Sequence, residues 1–187
     1  MGKFKSIETG IEGLYVIEST VFGDERGFFM ETYHEKDFHE LGITEKFVQD
    51  NHSKSIKGVL RGLHFQKEYP QGKLVRVISG EVYDVAVDMR AGSSTYGKHF
   101  GLLLSAENKK QFFIPKGFAH GFLVTSDEAE FTYKCTDFYR PGDEGGLLWS
   151  DADLGISWPV SAVGGTQNLI LSEKDKNWKM LSETEGN

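Results

Sequence analysis

The chain has 187 residues, 39% of them hydrophobic and 13% aromatic, with a formal net charge of -7 at pH 7. That is enough apolar mass for one full core, so a single domain over 1–187 is expected, and the acidic balance excludes nucleic acid as a partner, because that binding needs clustered positive charge. The lone Cys135 excludes an internal disulfide framework, MGKFKSIETG carries no apolar signal core, and no apolar run approaches the roughly 20 residues that cross a bilayer, so a soluble cytoplasmic protein without a membrane partner is expected.

In chain order, GLYVIESTVF reads as a strand, GDERG as a turn and FFMETY as a second strand. HEKDFHEL places Phe38 and Leu41 at helical spacing, and Gly42 stands where a helix ends on a left-handed residue. FVQDNHS and IKGVLRGLHFQ follow. Residues 61–89 then read as sheet core around a Ser79-Gly80 turn, dense in β-branched residues. Further turn signals recur at Ala91-Gly92-Ser93, Ala106-Glu107-Asn108, Pro115-Lys116-Gly117, Ser126-Asp127 and Arg140-Pro141-Gly142-Asp143. Between them lie FGLLLS, QFFIP, HGFLVT and EFTYKCTDFY. Many short strands so spaced indicate an antiparallel sandwich or barrel. Near the end Ser172 is placed to cap a short helix, with Glu173 and Asp175 in its first turn.

Strand alternation sorts the polar residues inside this apolar frame. In EVYDVAVDM one face carries Val82, Asp84, Ala86 and Asp88 and so lines solvent or a polar cavity, while Tyr83, Val85, Val87 and Met89 form the apolar face. In LRGLHFQ, His64 shares a face with Leu60, Gly62 and Gln66, with space expected above the glycine. Arg61 then faces the other way unless a bulge intervenes.

Of six histidines, His64 and His120 stand in strand-like sequence between glycines and aromatics; both also suit a core histidine bonded to backbone. His34, His39, His52 and His99 lie in polar surroundings and read as surface or structural. Pro115-x-Gly117-x-x-His120 resembles the second metal motif of cupins, a jelly-roll superfamily, but His64-Phe65-Gln66 stands where the first motif needs H-x-H. Two histidines fall short of the roughly three N/O ligands of a catalytic metal, so no metal is expected. A neutral imidazole titrating near about 6.5 suits a general base, a lysine ammonium can support an oxyanion, and a protonated tyrosine can donate. Together they suit proton abstraction beside a carbonyl. Plainer roles exist for each residue: Lys73 as a solvated strand end, Tyr133 as a core aromatic, Asp175 as a helix-capping acid, and Arg26 with Glu31 as a hairpin ion pair.

The motifs VFGDERGFFMETY, FVQDNHS, VLRGLHFQ, QGKLVRVISGEVYDVAVDMR, FFIPKGFAHGF, EFTYKCT and LSEKD closely resemble the dTDP-4-dehydrorhamnose 3,5-epimerase family, in order and over nearly the whole chain. The resemblance implies a cupin-like jelly roll of antiparallel strands with a few short peripheral helices. It implies a cofactor-independent isomerase acting on a dTDP-sugar, and a homodimer that exchanges N-terminal strands. Residue by residue, it implies His64 as the proton acceptor, Tyr133 as the proton donor, Asp175 as the partner of His64, and Lys73 beside the substrate's keto oxygen. Arg26, Glu31, Gln49, Asp50, Asn51, Arg61, His120, Glu144 and Lys174 match substrate-contacting positions. Two rivals remain: a metal-dependent cupin, and a non-catalytic sugar-binding module of the same shape.

Overall fold

In the computed structural model, which describes residues 3–184, the chain folds into two antiparallel sheets packed face to face; the ends of the expected 1–187 domain lie outside the described residues. The first half supplies β1 (Phe4–Glu8), β2 (Tyr15–Ser19), β3 (Val21–Asp24), β4 (Gly27–Met30), helix α1 (Glu35–Glu40), β5 (Gln49–Ile56) and β6 (Leu60–Gln66). Then come β7 (Lys73–Ser79), β8 (Glu81–Asp88), β9 (His99–Ser105), β10 (Gln111–Ile114), β11 (Phe118–Val124), β12 (Glu128–Cys135) and β13 (Glu144–Gly146), with helix α2 (Glu173–Lys176) near the end. One sheet runs β1-β2-β10-β7-β12-β5 and the other β13-β6-β11-β8-β9, while β3 and β4 form a separate two-stranded arm. This is the all-β jelly-roll class expected.

The two segments around Ser79-Gly80 belong to opposite sheets. Gly80 turns the corner with φ 74°, and a Cβ there would stand 2.0 Å from the Glu128 carbonyl oxygen, so only glycine lets the chain cross so tightly. The main core fills the space between the sheets with Val75, Val77, Phe112 and Phe131 from one and Val82, Ala86, Leu104 and Phe122 from the other. The alternation read in β8 holds: Val85 and Val87 face outward and are covered by Leu147, Leu154, Trp158 and Val163 of the C-terminal segment. Its polar face does not see solvent, because Asp84 and Asp88 are both fully buried. Asp88 is consumed by its own turn, accepting from Arg90, Ser93 and Thr95, which together hold its carboxyl well below the usual range despite burial.

Both expected helices form where their signals lie. The His34 ring accepts from the Asp37 N–H at the start of α1, and Gly42 follows its end with φ 84°. The Ser172 side chain accepts from the Asp175 N–H at the start of α2. Helix α1 packs Phe38 onto Phe4, Ile17, Leu74 and Phe113, closing one end of the six-stranded sheet's outer face.

Candidate active site

Strand β6 departs from simple alternation at the point that matters. Its register against β11 pairs Arg61 with Phe122 and His64 with His120, so β6 spends one residue more than its partner between the two pairs. This bulge turns Arg61 and His64 to the same side, which removes the parity conflict of the sequence. Gly62, with φ 120°, is the residue that permits it. The space expected above that glycine is not there: a Cβ would lie 2.6 Å from Gly121 Cα, so the glycine serves close strand approach.

A cleft of about 310 Å³ opens between the sheets, and His64, Lys73, Tyr133, Gln49, Asn51 and Glu144 all line it. His64 comes from the five-stranded sheet. Lys73 and Tyr133 come from the six-stranded sheet, where Lys73 pairs with Cys135 and Tyr133 with Val75 in the register of β7 and β12. The base candidate and the other two groups thus occupy opposing walls.

The His64 Nε2 meets the Asp175 carboxylate, whose second oxygen accepts from the Ser172 hydroxyl at 2.8 Å. Asp175 thus lies in the first turn of α2, where Ser172 and not its own carboxylate does the capping, and that carboxylate is turned to the His64 ring. Burial works to raise the Asp175 carboxyl, but the His64 and Ser172 hydrogen bonds and the His64 charge outweigh it and hold the group below its ordinary value. With Nε2 committed to the carboxylate, Nδ1 is the ring nitrogen left for a substrate proton.

On the opposite wall, burial pushes the Lys73 ammonium down from its ordinary pKa, against the opposing charges of Cys135 and Asp84. Burial first and Cys135 second push the Tyr133 phenol up, while the Arg61 charge opposes them. A phenol so raised stays protonated and able to donate at neutral pH. Gln49 and Asn51 are bonded to one another at 3.1 Å; Asn51 also donates to Cys135 Sγ, and Gln49 accepts from the Tyr139 N–H. At the rim, Glu144 pairs with Lys174, which holds its carboxyl low, and the Tyr139 hydroxyl beside Glu144 is raised by that contact.

Several matched positions sit elsewhere. Asp50 alternates to the outer face of the sheet, exposed and paired with Lys134 at 3.0 Å, so it does not join Gln49 and Asn51. Arg61 stands at the sandwich edge with Nε on Ser55 Oγ. His120 lies beneath the cleft, stacked on Phe131, its Nε2 at 2.9 and 3.0 Å from the two Asp84 oxygens. Burial pushes that imidazole below its ordinary pKa even with Asp84 beside it. Arg26 and Glu31 do not pair with each other: Arg26 binds Asp24 at the tip of the arm, and Glu31 binds Lys3. Among the described residues no group of three His, Cys, Asp or Glu side chains converges as a metal site.

Sequence reasoning missed Tyr139, Gln71 and Phe118 in the cleft lining, and Trp178 edge-on to His64 at 6.0 Å. Exposed aromatics in a turn such as DFYRPGD were the available signal for Tyr139. Trp178 had none, since its place depends on a contact between distant segments.

A family model described as dTDP-4-dehydrorhamnose 3,5-epimerase matches residues 8–183. The chain is 56% identical over 183 residues to the dTDP-4-dehydrorhamnose 3,5-epimerase of Methanothermobacter thermautotrophicus, covering 98% of this chain and 97% of that one. It superposes on the crystal structure of dTDP-4-dehydrorhamnose 3,5-epimerase from Elizabethkingia anophelis NUHP1 with a TM-score of 0.92, at 50% identity over 97% and 98% of the two chains. A dTDP-6-deoxy-D-glucose-3,5-epimerase from Legionella pneumophila, solved in complex with dTDP-4-keto-L-rhamnose, gives 0.91 at 52% identity over 97% and 95%.

Proposed function

We propose, because the chain belongs to the dTDP-4-dehydrorhamnose 3,5-epimerase family, that its cleft inverts C3 and C5 of dTDP-4-dehydro-6-deoxy-D-glucose, giving dTDP-4-dehydro-L-rhamnose. His64, Lys73, Tyr133 and Asp175 carry the chemistry. Both carbons flank the C4 ketone, so one carbonyl acidifies both C–H bonds and no redox or metal group is required. His64 takes the proton on one face, and Asp175 holds its tautomer and balances the imidazolium that forms. Lys73 supports charge developing on the keto oxygen. Inversion then needs a proton from the other face, which Tyr133 supplies.

The observation that carries this reading is the placement of His64 on one sheet and Tyr133 with Lys73 on the other, both lining one cleft. In heavy water, deuterium is expected at both C3 and C5, read by NMR; label at a single carbon would sink the double inversion. Tyr133→Phe should still wash protons out through His64 while forming little inverted product, so exchange should outrun inversion far more than in the wild type. An unchanged ratio would remove Tyr133 as the acid.

Gln49, Asn51, Glu144, Lys174, Arg61 and His120 are assigned to sugar and nucleotide. The protein works as a cytoplasmic single-domain homodimer. The arm supports the dimer, since Val21, Phe22, Phe28 and Phe29 on it are all exposed and offer apolar surface for a second copy to cover. On this reading Arg26 and Glu31, outside their own cleft, complete the partner's site. Mixing His64→Ala with Arg26→Ala protein should therefore restore activity that neither has alone, because one site of each mixed dimer is intact. No recovery after subunit exchange would remove Arg26 from the partner's site.

A further inference from the structure

Trp178 takes no part in the roles assigned so far. Its backbone is fixed by its neighbour: Lys179 bridges to Leu147 in parallel, and the Leu148 N–H donates to the Lys179 carbonyl at 2.8 Å. This sets the indole over Gly146, where a Cβ would stand only 2.3 Å from the ring. Gly146 is in turn the register partner of His64 in the β13–β6 pair. Partners across an antiparallel pair project to the same face, so the indole occupies the volume of the side chain that Gly146 lacks, on the side where His64 projects.

Three further contacts converge there. The indole meets the imidazole edge-on at 68°. Its Nε1 is buried without an acceptor at hydrogen-bonding geometry, although its N–H adds to the groups that hold the Asp175 carboxyl low. The Lys174 ammonium, paired with Glu144 at the rim, lies 5.6 Å from the ring centroid. Trp178 thus stands beside the base, its carboxylate and the rim ion pair at once.

We infer that Trp178 is a positioning residue for the His64–Asp175 pair: the indole walls the imidazole on its Gly146 side and keeps water from the carboxylate, holding the base in the orientation that reaches substrate. The inference rests on the proposed role of His64 as base. A base held loosely loses rate steeply, since a misplacement of about 1 Å can cost on the order of 10²-fold.

The test is steady-state kinetics on the full-length protein with thermal unfolding as a fold check. Trp178→Ala should lower kcat about tenfold or more with KM changed less than about threefold, and deuterium exchange at C3 and C5 should fall in parallel. Trp178→Phe, which keeps a ring in the gap, should recover most of the loss. Gly146→Ala should mimic Trp178→Ala by displacing the indole, and the double variant should be no worse than the poorer single one. A folded Trp178→Ala protein with wild-type kcat, or with only KM altered, overturns the inference. Should Trp178→Ala not fold, the Trp178→Phe and Gly146→Ala pair decides: equal kcat in both overturns it. His64→Ala run alongside separates the two readings: if it stays active, the base assignment has failed, whereas an inactive His64→Ala beside an unaffected Trp178→Ala refutes the positioning role alone.

Discussion

Two histidine–aspartate pairs sit opposite one another in this molecule, and they are built for different work. His64 and His120 are register partners on β6 and β11, and each turns Nε2 to an aspartate. His64 keeps a third of its side chain exposed to the cleft, and its partner comes from α2, at the far end of the chain. His120 is 8% exposed, and its partner Asp84, wholly buried, comes from the neighbouring strand β8. On the proposed reading the first pair passes a proton to and from the substrate. The second lies beneath the cleft, where burial pushes its imidazole below the ordinary pKa, so its part is to contact the substrate and not to take the proton. Burial and access, not the residue types, are what make His64 and not His120 the base in the proposed reaction.

That contrast breaks first at His64. A positioned general base contributes typically about 10² to 10⁴-fold, so His64→Ala should lose at least that much in kcat, with folding intact because a third of the side chain is open to the cleft. His120→Ala should lose less in isotope exchange at C3 and C5; equal losses would collapse the distinction between the pairs. Next, Lys73→Met should cost on the order of 10² to 10³ in kcat, the scale for one donor aimed at developing charge. A variant in which only KM moved would deny Lys73 an oxyanion role. Asp175→Asn should cost less than His64→Ala, since it leaves the imidazole and keeps the shape of the side chain. If it cost as much, Asp175 would be doing more than orienting the base.

Much of this was legible before any coordinates. The β8 alternation, the Ser172 cap and the α1 stop at Gly42 are local rules, and the structure obeys them. The β6 bulge was not legible, because period-two reasoning presumes an unbroken ladder and the extra residue shows only in the pairing with β11. The same alternation, applied to β5, would have separated Asp50 from Gln49 and Asn51; taking the three together as one motif hid it. Strand β13 is three residues of Glu-Gly-Gly with no apolar period, and β1 is short and half polar, so neither announced itself. Residues 147–170 escaped for a related reason. They cover the outer face of a sheet as turns and short 3-10 segments, and an irregular layer has no period to read.

The smallest expected effect sharpens the comparison through stability. The unfolded imidazole of His120 titrates near about 6.5, and burial holds the folded one lower, so below that pH the unfolded chain binds a proton that the folded chain does not. Stability therefore rises with pH through this window, and is lost as pH falls from about 6.5 toward the folded pKa. Charges around the ring do not reverse the sign: Asp84 favours the imidazolium, Lys73 and His64 oppose it, and desolvation is the largest influence. His99, also lowered by burial, contributes in the same direction from β9, so the wild-type slope alone does not isolate His120. His120→Gln does. Glutamine retains a donor for Asp84 but cannot titrate, so the fall in Tm between pH 7 and pH 5 should be shallower than in the wild type, by the share that His120 supplies. His64→Gln, at a side chain a third exposed to the cleft, is the comparison variant and should leave more of that fall in place. If the two variants flattened the slope equally, burial would not be what separates the pairs.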